Sequence, residues 1–215
     1  MSNVKLVWHT HDAENLIAYM ARVSNPDNQM NSETAPKLLK YLMKHKHWSP
    51  FEMVNVCMEI ETTRDIARQI IRHRSFSFQE FSQRYAKAEE FSYSEPRLQD
   101  TKNRQNSLEL DMTDELDVQT AYLWERLQGN VIESCKRYYD WALDKGIAKE
   151  LARKLLPEGL TMSRMYMNGT LRSWIHYTDI RCGEETQKEH REIALQCRNI
   201  LEELFPNVFY EGRFE

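Results

Sequence analysis

The chain has 215 residues, of which 41% are hydrophobic and 29% charged, with a formal net charge of −4 at pH 7. This predicts one domain, 1–215, with a substantial core, and the acidic balance (pI near 6.0) argues against a general nucleic-acid binder. No apolar run approaches the ~18 residues of a membrane span, and Met1 to Thr10 lacks a signal-peptide layout, so the expected location is cytoplasmic.

The four cysteines, Cys57, Cys135, Cys182 and Cys197, lack CxxC spacing and neighbouring histidines, so no metal site is predicted, and they read as reduced and mostly buried. The six glycines form neither a dinucleotide fingerprint nor a P-loop. A bound dinucleotide would have to be gripped by side chains.

In chain order, Val4 to Trp8 alternates like a short strand, and Asp12 can cap a helix through Ala21 with Leu16, Ile17 and Met20 on one face. A second helix is predicted from about Ser32 to Lys46, carrying Leu38, Leu39, Leu42 and Met43. His47-Trp48-Ser49-Pro50-Phe51-Glu52 reads as a proline turn into a strand that begins at Phe51. Thr62 to Ile71 reads as a helix with Thr62 as N-cap, which puts Arg72, His73 and Arg74 on its last turn and aims Arg74 into the Ile66, Ile70 stripe.

From Arg64 to Arg84 five arginines face only Asp65 and Glu80, a local excess of three positive charges within an acidic chain. Cations suit a helix C-terminus by roughly 0.3–1 kcal/mol each, which accounts for one or two of them but not the set. Phosphate-like anions are the natural partners, because a guanidinium grips them bidentately.

Further along, Phe91 to Arg97 reads as a strand and Gln99 to Asp117 as a polar loop or flap. A long helix follows over Val118 to Ala142, whose apolar stripe of Tyr122, Leu123, Leu127, Val131, Ile132, Cys135, Tyr138 and Tyr139 reads as core or subunit contact. Gly146 ends it, and Ala148 to Leu156 is a short helix stopped by Pro157. Leu160 to Met167 is strand-like, Thr170 caps a helix with Arg172 and His176 at i, i+4, Gln187 to Leu204 is a final amphipathic helix, and Phe205 to Glu215 is an aromatic tail. The expected fold is α+β: a twisted, mostly antiparallel sheet from the Val4, Phe51, Phe91 and Leu160 regions, flanked by helices.

Arg72-His73-Arg74, seven residues, then Ser82, with Gln79-Glu80 before that serine and Gln83-Arg84-Tyr85 after it, resembles the signature of the flavin-dependent thymidylate synthases. His47-x-Ser49-Pro50-Phe51-Glu52, Ala152-Arg153-x-x-Leu156-Pro157 and Thr170-Leu171-Arg172-Ser173-Trp174 are similar to further blocks of that family, while Met53 stands where many members carry a histidine. The resemblance implies reductive methylation of dUMP to dTMP, with FAD as cofactor, NADPH as reductant and methylene-tetrahydrofolate as carbon donor, in a homotetramer with sites at subunit interfaces. It implies FAD contacts from Ser49, Arg72, His73, Arg74, Glu80, Thr170, Arg172 and His176. The implied dUMP contacts are Gln69, Arg72, Glu80, Ser82, Gln83, Arg84, Arg153 and Arg181, the last as the catalytic, substrate-activating residue. Two rival classes fit parts of the sequence: a nucleic-acid-binding domain using the arginines and tyrosines, and a hydrolase using Ser82 or Cys182 with His73, which would lack a G-x-S-x-G elbow.

Overall fold

The computed structural model describes residues 2–210, so the last five residues of the predicted aromatic tail lie outside the described residues. In chain order the elements are β1 (Asn3–His9), α1 (Ala13–Ala21), α2 (Ala35–Lys44), β2 (Asn55–Thr63), α3 (Arg64–Ile70), β3 (Phe76–Glu80), β4 (Arg97–Gln99), β5 (Ser107–Glu109), α4 (Glu115–Asp144), α5 (Lys149–Ala152), β6 (Met162–Thr170), α6 (Leu171–Arg181) and α7 (Lys188–Leu204). The architecture is α+β, with a mostly antiparallel four-stranded sheet in the order β1-β2-β6-β3. The chain falls into two compact units: a sheet unit of residues 2–60, 71–79 and 165 onward, and a long-helix unit of 61–70 and 80–164.

In the sheet unit, β2 lies between β1 and β6 and its burial alternates: Val56, Met58, Ile60 and Thr62 are buried on one face, while on the other Asn55, Glu59, Glu61 and Thr63 are half-buried and only Cys57 is buried. β6 runs straight into α6, because Thr170 accepts a hydrogen bond from Ser173 N (3.3 Å) and so caps the helix as its sequence predicts. Trp174 is wholly buried and donates its indole N–H to Val56 O (3.0 Å). Gly169 is required by packing: any Cβ there would run into the Phe76 ring. α7 buries Ile193, Ala194, Cys197 and Leu201, and packs on α6 and β1.

In the long-helix unit, Asp114 caps α4 by accepting from Leu116 N (2.9 Å) and Asp117 N (3.1 Å). The helix ends at Gly146, whose φ of 76° lets Gly146 N and Ile147 N close onto Leu143 O (2.9 Å) and Ala142 O (3.0 Å). Tyr139, Ala142 and Ala152 form a small core, completed by Leu143 and Leu156.

Several sequence expectations need correction. The strand predicted from Phe51 begins at Asn55, since Pro50 sets a single 3-10 turn over Ser49–Glu52. Thr62 is a buried residue of β2 and not a cap, and α3 stops at Ile70, so Arg72, His73 and Arg74 occupy a turn and Arg74 is exposed instead of entering the Ile66, Ile70 stripe. The Phe91 region contributes one isolated bridge, Phe91 to Thr161, and the sheet's fourth strand is β3, which the sequence reading passed over. The predicted loop 99–117 contains β5, which pairs antiparallel with β4. Along α4 only Gln128, Tyr139 and Ala142 are buried, so most of its apolar stripe is exposed. Of the cysteines, Cys57 and Cys197 are buried, Cys135 and Cys182 half-buried, and all four are free.

Candidate functional site

The predicted cofactor residues fall almost entirely in the sheet unit. Arg72 and Arg74 are exposed on the 71–75 turn and have no ion-pair partner among the described residues. That turn is tied to the start of α6, because Ser173 Oγ donates to Ser75 O (3.1 Å). Thr170 is occupied as a cap, its Oγ1 also lying 3.2 Å from Ser173 Oγ. One turn on, Arg172 forms an ion pair with Glu52 at the end of the 49–52 turn, and His176 packs edge-on against Trp48 (4.9 Å between centroids). Ser49 is exposed between them in sequence. The 71–75 turn thus joins the start of α6, while α6 holds the 48–52 turn. The arginines of the 71–75 turn meet no acid among the described residues, and the Trp48 and His176 rings cross at 63° instead of stacking.

At the far end of α6, Arg181 Nε donates to His73 Nε2 (2.9 Å). An Nε2 that accepts belongs to a neutral imidazole with its proton on Nδ1. Burial, and then the Arg181 charge, hold the His73 pKa down at about 4. Arg181 has no carboxylate partner among the described residues, so its charge is not offset and its terminal nitrogens are uncommitted. Behind His73 lie Tyr177 and His190, both buried, with the Tyr177 hydroxyl 3.2 Å from His190 Nε2. Burial first, then the charge of Arg181, lowers the His190 pKa to about 3, and its Nδ1 has no hydrogen-bond partner, a deficit that typically costs about 1–3 kcal/mol. The same burial raises the Cys182 pKa to about 11, so the thiol stays protonated and the Cys182 hydrolase reading loses its nucleophile.

The predicted substrate residues other than Arg72 and Arg181 lie in the long-helix unit, which contains no histidine. Glu80 is only 18% exposed and is held by ion pairs from Arg68 and Arg64 (3.7 Å) and by a hydrogen bond from Ser163 Oγ (2.8 Å). Arg64 also reaches Glu158 (3.2 Å). The sequence reading missed this clamp of Arg64, Arg68, Glu158 and Ser163; the signal was Arg64 and Arg68 at i, i+4 on α3, one face that can close on a single carboxylate. Gln69 is half-buried on the same helix. Ser82 Oγ accepts from Arg84 N (3.3 Å), and among the described residues no base bonds it. Arg84 pairs with Glu150 (3.2 Å) at the exposed surface. Gln83 is 3% exposed with its Nε2 donor unmatched, and Arg153 is half-buried with no ion-pair partner among the described residues. A cavity of about 670 Å³ beside Tyr19 and Met30 contains none of the predicted site residues.

Half-buried arginines, held by an imidazole in the sheet unit and by a carboxylate in the long-helix unit, stand on an α+β frame without a glycine-rich phosphate loop. Residues 5–207 match the family model described as thymidylate synthase complementing protein, and the chain belongs to that family. It is 53% identical over 195 residues to a flavin-dependent thymidylate synthase of Synechocystis sp., covering 91% of this chain and 87% of that one. A probable flavin-dependent thymidylate synthase of Paramecium bursaria Chlorella virus 1 is 50% identical over 197 residues, covering 91% and 88%. Among solved structures, the fold is similar to that of a UMP/dUMP methylase, PolB, from Streptomyces cacaoi bound with 5-Br dUMP (TM-score 0.84, 25% identity, 97% of this chain and 93% of that one). Among the described residues no helix is long and apolar enough to cross a membrane.

Proposed function

We propose that this chain, as one synthase domain over 1–215, catalyses the reductive methylation of dUMP to dTMP, with methylene-tetrahydrofolate as carbon donor, NADPH as reductant and FAD as cofactor. The observation that carries the reading is Arg181, a guanidinium held at Nε by a neutral imidazole and left with its whole charge. Methylation at C5 of uracil requires that carbon to be electron-rich. A fixed guanidinium beside the O2/N3 edge favours the N3 anion and pushes electron density towards C5, which is oxyanion-type stabilisation applied to a ring. Histidine serves here where a carboxylate would not, because a carboxylate would cancel the charge that the ring needs.

Around the phosphate of dUMP, the proposed donors are Ser82, Gln83, Arg84 and Arg153, with Gln69 and Arg72 completing the set. Gln83 supports this, as its buried amide donor lacks a partner. Glu80, gripped by Arg64 and Arg68, accepts from hydroxyl or amide donors of the ligands instead of acting as a base. For FAD, Arg72 and Arg74 would hold the diphosphate, while His73, Thr170, Arg172, His176, Ser49 and Glu80 complete the proposed contacts. When bound, FAD supplies the hydride route from NADPH that completes reduction of the transferred carbon to methyl. The exposed apolar residues of α4, among them Tyr122 (64%) and Leu127 (58%), support a homotetramer with its sites at subunit interfaces. The proposed location is the cytoplasm, with no nucleic-acid or membrane partner.

The test is the visible spectrum of the purified protein together with NADPH oxidation and product analysis. Flavin bands, faster or slower NADPH oxidation on adding dUMP, and dTMP formation are expected. Flavin bands that never appear, even with added FAD, sink the proposal, and an NADPH rate indifferent to dUMP counts against a common site. Because the similar solved structure is a UMP/dUMP methylase, UMP belongs in the same assay, and preferential methylation of UMP would replace the substrate assignment.

A further inference from the structure

The volume behind His73 could be filled by an apolar pair at no electrostatic penalty, yet the chain places a hydroxyl and an imidazole there. Tyr177 is wedged between Phe76 (6.0 Å between centroids) and Trp174 (5.8 Å), and its hydroxyl is fixed by His190 Nε2. His73 meets both rings edge-on, at 5.0 Å and 82° to Tyr177 and at 6.2 Å and 83° to His190. The three rings close a triangle, since Tyr177 and His190 lie 5.8 Å apart. An imidazole backed on two sides has one ring plane open to it, and that plane directs Nε2 at Arg181 Nε.

We infer that Tyr177 and His190 are positioning residues for the reaction: they fix the His73 ring, whose Nε2 holds Arg181 Nε and so sets the plane in which Arg181 presents its terminal nitrogens to the substrate. This rests on the proposed role of Arg181. Packing alone accounts for the bulk at 177 and 190 but not for the polar atoms, one of which, His190 Nδ1, is left without a partner. A hydroxyl–imidazole hydrogen bond sets the relative orientation of two rings, which two apolar side chains do not.

The experiment is steady-state kinetics of dTMP formation by the holoenzyme carrying Tyr177→Phe, His190→Met or His190→Gln, each alone and combined with Arg181→Lys, alongside thermal melts. Tyr177→Phe and His190→Met are expected to lower kcat about tenfold while the dUMP KM stays within about twofold, a smaller loss than the roughly hundredfold cost of a 1 Å misplacement. Lysine has no Nε–H in that place for His73 to hold, so neither change should lower kcat further in the Arg181→Lys background. Gln at 190, which can still reach the Tyr177 hydroxyl, should recover most of the loss. Tyr177→Phe keeps every ring atom and carries the test should the His190 variants fail to fold. Unchanged kcat in Tyr177→Phe with only a shifted melt would overturn the inference, as would losses that add in full to Arg181→Lys. If Arg181→Lys itself leaves dTMP formation unchanged, the role of Arg181 falls and takes the positioning role with it, an outcome distinct from the first two.

Discussion

Arg181 and the arginines of the Arg64–Arg84 stretch are held in opposite ways in the two units, although Arg172 of the sheet unit pairs with Glu52 and Arg153 of the long-helix unit meets no acid among the described residues. In the long-helix unit, Arg64, Arg68 and Arg84 all meet carboxylates, so most of their charge is spent within the fold. In the sheet unit, Arg181 meets an imidazole that burial keeps neutral, and Arg72 and Arg74 meet no acid among the described residues. Three of the five arginines that make the sequence locally cationic are therefore already paired. A cation count along a sequence overstates anion-binding capacity whenever a helix spacing lets two arginines close on one carboxylate.

The largest effect should come from the charge that is not offset. Arg181→Lys keeps a cation but loses the planar donor pair and the Nε–H that His73 accepts, so kcat should fall roughly hundredfold, the scale of removing one oxyanion donor, and dUMP affinity by less. Binding that collapses while turnover survives would make Arg181 a phosphate clamp and erase the contrast drawn above. Next comes the paired region. Ser82→Ala should raise the dUMP concentration for half-maximal rate by the equivalent of about 1.5–3 kcal/mol, the loss of one hydrogen bond to a charged group, with dTMP still formed. Total loss of product at saturating dUMP, in a variant that still binds dUMP and still reduces its flavin, would restore the nucleophile reading of Ser82.

Two of the carboxylates that neutralise arginines in the long-helix unit, Glu80 and Glu150, should themselves differ. Glu80 is mostly buried and holds two guanidiniums, so Glu80→Gln should destabilise the protein by roughly 2–3 kcal/mol, less than a fully buried pair because Arg68 is 40% exposed. Glu150 and Arg84 are more than half exposed, and Glu150→Gln should cost under about 1 kcal/mol. Denaturant unfolding compares the two, and equal costs would mean that the clamp on Glu80 contributes no more than a surface pair.

Much of this was legible in the sequence, and what was missed has identifiable causes. Thr170 as a cap, Gly146 as a helix stop and the α6 block of Arg172 and His176 were readable because each is a local rule acting within one or two turns. β3 was not, since Phe76 to Glu80 has one buried residue and is a strand by virtue of pairing with β6, distant in sequence. The boundary of α3 was misplaced because Thr62 can cap a helix as readily as it fills a central strand, and burial decided for the strand. Of the site, the residue types were legible and their partners were not. Nothing local to Arg181 indicates His73, 108 residues away, and nothing near His190 indicates Tyr177.

A further effect is on stability against pH, and it tests the neutral imidazoles on which the contrast depends. His73 and His190 stay unprotonated in the folded protein down to about 4 and about 3, whereas in the unfolded chain each takes a proton near the ordinary value of 6.5. Between those limits the unfolded state binds more protons, so stability is at its full value above about 6.5 and declines as the pH falls, with the His73 share levelling off below about 4 and the His190 share below about 3. Arg181 sharpens the effect, because its charge opposes a second cation on either ring. Carboxylates in general add their own decline at the acid end, so the informative quantity is a difference between proteins. His190→Met removes one of the two groups and should make the decline between about pH 6.5 and about pH 4.5 shallower than in the parent, read as the pH dependence of the denaturant midpoint. An equally steep decline in both would mean that His190 titrates freely in the folded protein, and the wall behind His73 would then be neither dry nor neutral.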